Sequence, residues 1–216
     1  MTDTSAFGAP QPGVAPADLL ETGLILGKDG NARCFWGGGT PDYLAYHDTE
    51  WGRPVHGDDA LFERMSLEAF QSGLAWITIL RKRPAFRAAF AGFSIDKVAA
   101  FSEQDAARLM ADAGIVRNHM KIDAALANAR VAADLPDGLG ALLWSYAPAP
   151  RPPRPATRAD VPAATPESKA MAKDLKKRGF RFVGPTTAYA LMQATGMVDD
   201  HVTGCWVPPL GPDPRP

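Results

Sequence analysis

Two cysteines and two histidines are the residues of this sequence best placed to bind a metal ion. His201 and Cys205 lie four apart in DDHVTGCW, so on a helical turn both would project from one face. Cys34 and His47 both lie in RCFWGGGTPDYLAYHDTEW. Zinc binds a Cys2His2 set as a closed tetrahedron in structural sites, and here it would join the N-terminal and C-terminal parts of the chain. Two free thiols in a reducing compartment are the alternative.

A second candidate is Glu68, which lies at the edge of an apolar helix face. At 100° per residue it projects within about 20° of Leu61. Burying a carboxylate is unfavourable unless something bonds to it. Aromatic residues surround it in the sequence: Trp36, Tyr43, Tyr46, Trp51 and Trp76. This combination suits a flat cationic heterocycle, which would stack on the rings while the carboxylate accepts its N–H groups. An aromatic core whose glutamate pairs with a backbone N–H is the alternative.

A third candidate is the short turn GFRFVG, from Gly179 to Gly184, between two predicted helices. Gly184 and Pro185 would leave the N–H groups of the second helix open to a phosphate. Basic residues dominate this region: Lys169, Lys173, Lys176, Lys177, Arg178 and Arg181. The pattern indicates a local basic patch next to a turn that can accept a phosphate. A solvated helix face next to an ordinary helical corner explains it equally well.

Helical patterns account for most of the chain between these candidates. Ser102 and Asp105 have the spacing of a capping box, and Thr165 precedes a proline at a helix start. The predicted helices are DDALFERMSLEAFQSGL, SEQDAARLMADAG, NHMKIDAALANARVAADL, TPESKAMAKDLKKRG and PTTAYALMQATG. We find no convincing alternating strand, so the predicted fold is all-α.

The composition fits one globular domain. With 216 residues, of which 46% are hydrophobic, the chain can bury one core. We expect a single domain over 31–207, a disordered N-terminal tail over 1–30, a Pro-rich tail over 208–216 and a connecting loop over 147–166. A net charge of −1 gives no general attraction to nucleic acid or membranes. Without an apolar span or a signal-peptide pattern, we expect a cytoplasmic protein.

Several stretches together resemble the bacterial 3-methyladenine DNA glycosylase I family. The matching stretches are RCFW, YLAYHDTEWGRPVHGDDALFERMSLEAFQSGLAWITILRKR, DAGIVRN, LKKRGFRFVGPTTAYALMQATGMVDDH and the His201/Cys205 pair. YHDTEWG combined with LEAFQSGLAW is the most specific of these. The resemblance spans roughly 33–207 and leaves out only the tails.

The resemblance implies a helix-hairpin-helix DNA glycosylase that hydrolyses the N-glycosidic bond of 3-methyladenine in alkylated DNA. It implies a structural zinc ion on Cys34, His47, His201 and Cys205. It assigns the catalytic position to Glu68 and the base pocket to Tyr46, Trp76, Tyr43, Trp36 and Trp51. Leu74 would wedge into the base stack when the nucleotide is extruded. Gly184, Lys176 and Lys177 would then contact double-stranded DNA, bound by a monomer.

The sequence departs from the wider superfamily at two places. Its hairpin reads GFRFVG, and the region of the superfamily's catalytic aspartate reads Asp199-Asp200, where Asn-Asp is expected. Asp199 could stabilise a sugar cation or orient His201. No lysine occupies a nucleophile's position in the matched motifs, so we expect no strand cleavage.

Two rival functions remain at this point. A zinc hydrolase would need an open metal position, which four protein ligands do not leave. A non-catalytic DNA-binding module would explain the basic residues but not Glu68 among the aromatic residues.

Overall fold

A computed structural model describes residues 21–211 of the chain. The expected tails over 1–20 and 212–216 lie outside the described residues. Within the described part the chain forms nine α-helices: α1 (Pro41–Thr49), α2 (Asp58–Gln71), α3 (Trp76–Ala89), α4 (Ile95–Ala99), α5 (Glu103–Ala111), α6 (His119–Ala133), α7 (Gly138–Trp144), α8 (Pro166–Lys177) and α9 (Pro185–Ala194). The prediction of a mostly helical protein is confirmed.

Side-chain caps define where several helices begin. The Ser102 hydroxyl accepts the Asp105 N–H while the Asp105 carboxylate accepts the Ser102 N–H, as the sequence predicts for α5. Thr165 caps α8 in the same reciprocal manner with Ser168. Asn118 caps α6 by accepting the Lys121 N–H.

The prediction of no β-structure is wrong for one short ribbon. β1 (Leu24–Leu26) pairs antiparallel with β2 (Ala32–Cys34), and Leu24 lies opposite Cys34. Leu24 is buried against Val202 and Cys205. Residues 24–26 fall in the segment assigned to the N-terminal tail, so the folded part of the chain begins before residue 31. Three-residue strands are too short to show an alternating pattern.

α2 is the central helix of the core. It contacts α3, α6, α7 and α9, and its buried face includes Leu61, Phe62 and Met65. Four phenylalanines, Phe70, Phe86, Phe90 and Phe93, form a chain of ring contacts beside it. α8 and α9 pack against each other and are joined by the Gly179–Gly184 turn. Because Glu68 belongs to α2, its backbone is fixed from several sides.

The Pro-rich segment over 147–166 is an ordered loop held by arginines. Arg154 donates to the Asp199 carboxylate and to the carbonyls of Val207 and Pro208. Arg151 donates to the carbonyls of Gly196 and Gly211. Residues 208 to 211 are therefore packed against the domain, although the sequence analysis assigned them to a tail.

No helix within residues 21–211 has the length and apolar character needed to cross a membrane.

Candidate active site and metal centre

A cavity of about 420 Å³ lies between α1, α2, α3, α9 and the Pro-rich loop. Its walls are largely aromatic, with a few polar groups. The lining residues are Cys34, Phe35, Trp36, Tyr43, Tyr46, Trp51, Glu68, Gln71, Trp76, Arg158, Val161, Ala190, Gln193, Asp200 and Val202. The structure thus brings Glu68 and the five selected aromatic residues into one cavity of the size that holds a small molecule or a base.

Glu68 is a buried carboxyl group to which no hydrogen-bond donor is paired within the described part of the chain. Its exposed fraction is 6%, and within residues 21–211 no group hydrogen-bonds to it. Burial raises its pKa to about 8, and the charge of Arg64, one turn earlier on α2, acts in the opposite direction. Among these described residues, no backbone N–H pairs with the carboxyl group, which was the alternative interpretation of the sequence. The group is therefore available to a ligand in the cavity.

The aromatic rings meet mostly at steep or tilted angles rather than in parallel. Tyr46 and Trp76 have centroids 5.4 Å apart and planes inclined by 43°. Trp36 contacts Trp51 edge-on at 4.8 Å. Such mutual contacts hold each ring in one orientation, which leaves faces preorganised for a planar ligand.

Tyr43 fixes the start of α3. Its hydroxyl oxygen accepts the N–H of Ile77 at 3.1 Å, in a helix whose N-cap, Ala75, provides no side-chain cap. This bond places Trp76, the first residue of α3, at the cavity. The indole N–H of Trp76 is buried and has no acceptor within the described residues. An unpaired buried donor is unfavourable, so a ligand that accepts it would be favoured.

An ion-pair network lies behind Tyr46. Arg83 donates to both carboxylate oxygens of Glu50, at 2.6 and 2.7 Å, and Arg64 donates to the same group. Burial opposes the ionisation of Glu50, but these arginines lower its pKa to about 2. Arg83 also lies over the Tyr46 ring, 6.0 Å from its centroid. Burial, reinforced by the charge of Glu68, raises the Tyr46 pKa, so this hydroxyl stays protonated.

The Cys2His2 set is assembled and buried beside the cavity. The donor atoms of Cys34, His47, His201 and Cys205 all lie within 4.8 Å of one another. Cys205 Sγ is 3.6 Å from both His47 Nε2 and His201 Nδ1, and Cys34 Sγ is 3.7 Å from His201 Nδ1. In a tetrahedron with ordinary zinc–sulfur and zinc–nitrogen bonds, sulfur and nitrogen are about 3.5 Å apart. The observed separations therefore fit one four-coordinate ion of that size.

The outer nitrogen of each histidine has its own partner. His47 Nδ1 is 2.8 Å from Asp48 Oδ1, and Asp48 also accepts from Arg33 and from the Trp206 indole. His201 Nε2 donates to the carbonyl of Trp51 at 3.2 Å. Partners of this kind fix the tautomer that leaves the other nitrogen free to bind a metal.

The two thiols compete for a single negative charge. A hydrogen bond from Cys34, helped by His201 and His47, lowers the pKa of Cys205, while the same pairing raises that of Cys34. Only one thiolate is favoured by the protein alone. A divalent cation between the sulfurs would stabilise both.

The DNA-binding candidates lie on the surface, outside the cavity lining. Lys176 and Lys177 are exposed at the end of α8. Gly184 is the N-cap of α9, and a Cβ added there would meet nothing within 4 Å. Leu74 is 40% exposed in the turn between α2 and α3.

Buried polar side chains fix both surface turns. Asn128 accepts the Arg181 N–H at 2.7 Å and donates to its carbonyl at 3.0 Å, which holds the Gly179–Gly184 turn against α6. Lys121 donates to the carbonyls of Phe70 and Ser72, next to the Leu74 turn. Both turns are therefore rigid supports for their exposed residues.

Comparison with known proteins decides the family. Residues 36–208 match the methyladenine glycosylase family. The chain is 45% identical over 177 residues to DNA-3-methyladenine glycosylase 1 of Escherichia coli K12. The aligned region covers 80% of this chain and 95% of that protein. The chain belongs to the methyladenine glycosylase family.

Solved structures agree with this assignment. A crystal structure of 3-methyladenine DNA glycosylase I superposes with a TM-score of 0.78 at 44% identity, covering 82% of this chain and all of that one. The enzyme from Staphylococcus aureus, whose structure addresses 3-methyladenine recognition, superposes with a TM-score of 0.78 at 34% identity and covers 83% of this chain and 98% of its own. The resemblance inferred from the motifs is thereby confirmed.

In this methyladenine glycosylase family member, the two neighbouring aspartates have different surroundings. Asp199 is buried, accepts from Arg154 and Leu210, and does not bond to His201. Asp200 lines the cavity and accepts from the Tyr189 hydroxyl at 2.6 Å and the Gln193 amide at 2.7 Å. Asp199 thus anchors the Pro-rich loop, and Asp200 is the aspartate that faces the site.

Sequence analysis missed several cavity residues of this glycosylase. Six of them lie inside the quoted motifs but were given no role in the cavity, and two lie in the Pro-rich loop: Phe35, Gln71, Ala190, Gln193, Asp200 and Val202, and Arg158 and Val161. Arg158 and Val161 belong to the Pro-rich loop, which appeared to be a connection only. No local signal in the sequence places that loop beside α2 and β2.

Proposed function

We propose that this protein is a DNA glycosylase that releases 3-methyladenine from alkylated DNA and leaves an abasic site. One observation carries the proposal: a methyladenine glycosylase family member has an unpaired buried carboxyl group, Glu68, in an aromatic cavity of about 420 Å³. E. coli and S. aureus relatives bear the name of this activity.

Glu68 distinguishes the damaged base as a carboxylate, the form that the positive charge of a bound base stabilises against the effect of burial. Methylation at N3 makes the adenine of the nucleotide cationic, and the N6 amino group can donate to a carboxylate. The Tyr46 and Trp76 rings contact each other 5.4 Å apart and offer π-faces to the electron-poor ring. Normal adenine lacks the positive charge and gains less from both interactions.

The reaction needs little acid catalysis. The bond between C1′ and N9 breaks, its electron pair neutralises the methylated base, and water adds to C1′ with loss of a proton. The protein's part is to extrude the nucleotide, hold the base and provide a preorganised electrostatic environment. We expect no strand cleavage, since no lysine takes part in this scheme.

The helix-hairpin-helix formed by α8, the Gly179–Gly184 turn and α9 would bind the DNA backbone. The uncapped N–H groups behind Gly184 suit a phosphate, and Lys176 and Lys177 add positive charge. Leu74, 40% exposed on its fixed turn, would fill the space left in the duplex by the extruded base. We expect one protein molecule to bind one site in double-stranded DNA.

The ion held by Cys34, His47, His201 and Cys205 is, we propose, Zn²⁺ in a structural role. Two sulfur and two nitrogen donors are a preferred zinc set, and four protein ligands leave no position for a reacting water. The ion would stabilise the fold around the cavity without taking part in the reaction.

The deciding experiment is release of free base by the purified protein. DNA treated with a methylating agent should lose 3-methyladenine as the free base, detected by chromatography, and should acquire abasic sites without strand breaks. Unmethylated DNA of the same sequence is the control. If the protein binds methylated DNA but releases no base, the chain is a binding module and the proposal is wrong.

A further inference from the structure

Arg158 is a cation at the rim of the cavity that the proposed reaction does not yet use. It lies in the short 3-10 turn Arg158–Asp160 of the Pro-rich loop and is exposed, yet it lines the cavity. Its guanidinium carbon lies 3.9 Å from the centroid of the Phe35 ring. With residues 21–211 its guanidinium forms no hydrogen bond or ion pair. All guanidinium N–H donors are therefore available to a ligand.

The position of Arg158 is fixed by its surroundings. The Thr157 N–H and hydroxyl both donate to the Asp160 carboxylate, at 2.8 Å each, which closes the turn around it. A Cβ at Gly23 would lie 2.7 Å from the Arg158 Cβ, so glycine permits this close packing. The Gly23 carbonyl also accepts the Phe35 N–H. Phe35 and Arg158 are thus held against each other.

The loop that carries Arg158 is itself attached to the domain upstream of the arginine. Upstream, Arg154 pairs with Asp199 at 2.9 Å and the Pro155 carbonyl accepts the Thr203 N–H. Downstream, Val161 also lines the cavity. An arginine on a loop held this firmly loses little conformational freedom when it binds an anion.

Charge indicates which part of the substrate Arg158 meets. A cationic methylated base would be repelled by a guanidinium, and Phe35 already covers one guanidinium face. The remaining anionic groups of an extruded nucleotide are its phosphodiesters, which pass the rim of the cavity. Arginine binds phosphate oxygens with two parallel N–H donors.

We propose that Arg158 binds a phosphodiester of the DNA strand that carries the extruded nucleotide, at the rim of the base cavity, with Phe35 as its platform. The proposal rests on the function proposed above. It gives the Pro-rich loop a role as a second DNA contact, separate from the α8–α9 hairpin. Such a contact holds the extruded nucleotide near the cavity without discriminating between bases.

The test compares duplex binding with free-base binding. The probe is a duplex with a tetrahydrofuran abasic analogue, titrated by fluorescence anisotropy at several salt concentrations. Arg158→Ala should weaken binding about 10-fold. It should also make the slope of the logarithm of the binding constant against the logarithm of salt concentration shallower by about 0.9, the change expected for one lost phosphate contact. Arg158→Lys should retain most of the salt slope, and Arg158→Glu should bind more weakly than alanine. The Kd for free 3-methyladenine should stay unchanged in all three variants.

Arg108→Ala is the matched control, because Arg108 also lies over an aromatic ring, 5.2 Å from the Phe101 centroid, but does not line the cavity. Arg158→Gln provides a second neutral variant with a longer stem on Phe35. Unchanged duplex affinity and salt slope in both neutral variants would overturn the proposal. A loss of free 3-methyladenine binding as large as the loss of duplex binding would also overturn it, since Arg158 would then contact the base itself. Absence of base release by the wild type would instead count against the proposed function, whatever the Arg158 variants do in the binding assay.

Discussion

His201 Nε2 donates to the carbonyl oxygen of Trp51 at 3.2 Å, so one imidazole connects the Cys2His2 cluster with a residue of the cavity wall. Its other nitrogen lies 3.6 Å from Cys205 Sγ. The Trp51 ring also contacts the His201 ring, with centroids 4.8 Å apart. Displacement of His201 therefore moves a wall of the cavity.

Loss of the metal centre should destabilise the protein and weaken base binding together. We expect the wild type to retain about one zinc equivalent after chelator dialysis, and Cys205→Ser to bind metal weakly and to melt at a lower temperature. Metal analysis, Tm and the Kd for free 3-methyladenine measure the three effects. Thr203→Ala, an exposed change in the same turn, is the control. Full stability and base binding in a metal-free wild type would contradict a structural ion.

Glu68→Gln should lower excision while the fold persists. The amide keeps the shape but removes the charge and turns one acceptor into a donor towards the N6 amino group. A hydrogen bond to a charged group contributes about 1.5–3 kcal/mol, so excision should fall roughly 10- to 100-fold. Single-turnover excision and the Kd for free 3-methyladenine provide the measurements. A folded variant with wild-type values in both would show that Glu68 is only a core residue.

The stability of the wild type relative to Glu68→Gln should depend on pH. Burial raises the pKa of Glu68 from 4.5 to about 8, so between these values the folded protein holds a proton that the unfolded chain has lost. Wild-type stability from this group therefore falls as pH rises through that window. The variant should melt at a similar temperature at pH 5 and roughly 5–10 °C higher near pH 8.5. A pH-independent difference in Tm would show that Glu68 ionises freely in the folded protein.

Charge reversal at Lys176 and Lys177 should weaken binding to any duplex, independent of sequence. Each lost phosphate contact should reduce the salt slope by about one. Lys97→Glu, an exposed change on α4, controls for net charge. If the Lys176/Lys177 charge-reversal variant and Lys97→Glu have the same duplex affinity and salt slope in anisotropy titrations, the hairpin is not the DNA contact.

Gly184→Leu should also weaken duplex binding, by blocking the approach of a phosphate. The fold itself should tolerate leucine, because the φ of Gly184 is −76° and a Cβ there meets no atom within 4 Å. Tm therefore separates blocked binding from misfolding. Unchanged affinity would place the DNA elsewhere.

The Cys2His2 cluster and much of the aromatic cavity were predictable because rare residues mark them. The chain has two cysteines and four histidines, and the structure assembles both cysteines with two of those histidines. Glu68 stood out as an acid on an apolar helix face. α5, α6, α8 and α9 were predictable from side-chain caps and terminal glycines, which act within a few residues.

Other features depend on contacts distant in sequence. α3 contains Pro84 in its interior, a residue that usually indicates a helix end, and its start is fixed by Tyr43. The cavity roles of Arg158 and Asp200 arise from the path of the Pro-rich loop, which Arg154 and Asp199 determine. Neither the spacing between Arg158 and Asp200 nor that between Arg154 and Asp199 corresponds to a known sequence motif.

The metal centre has a consequence for how the protein is made. Cys34 and His201 contact each other across 167 positions of sequence, and Cys205 lies near the end of the described chain. During synthesis, the cluster and the wall formed by Trp51 cannot be completed before His201 and Cys205 have been translated. A truncated translation product that lacks His201 and Cys205 would still contain Glu68 and the aromatic residues, but not the closed site. Closure of the cavity thus depends on elongation of the chain through Cys205.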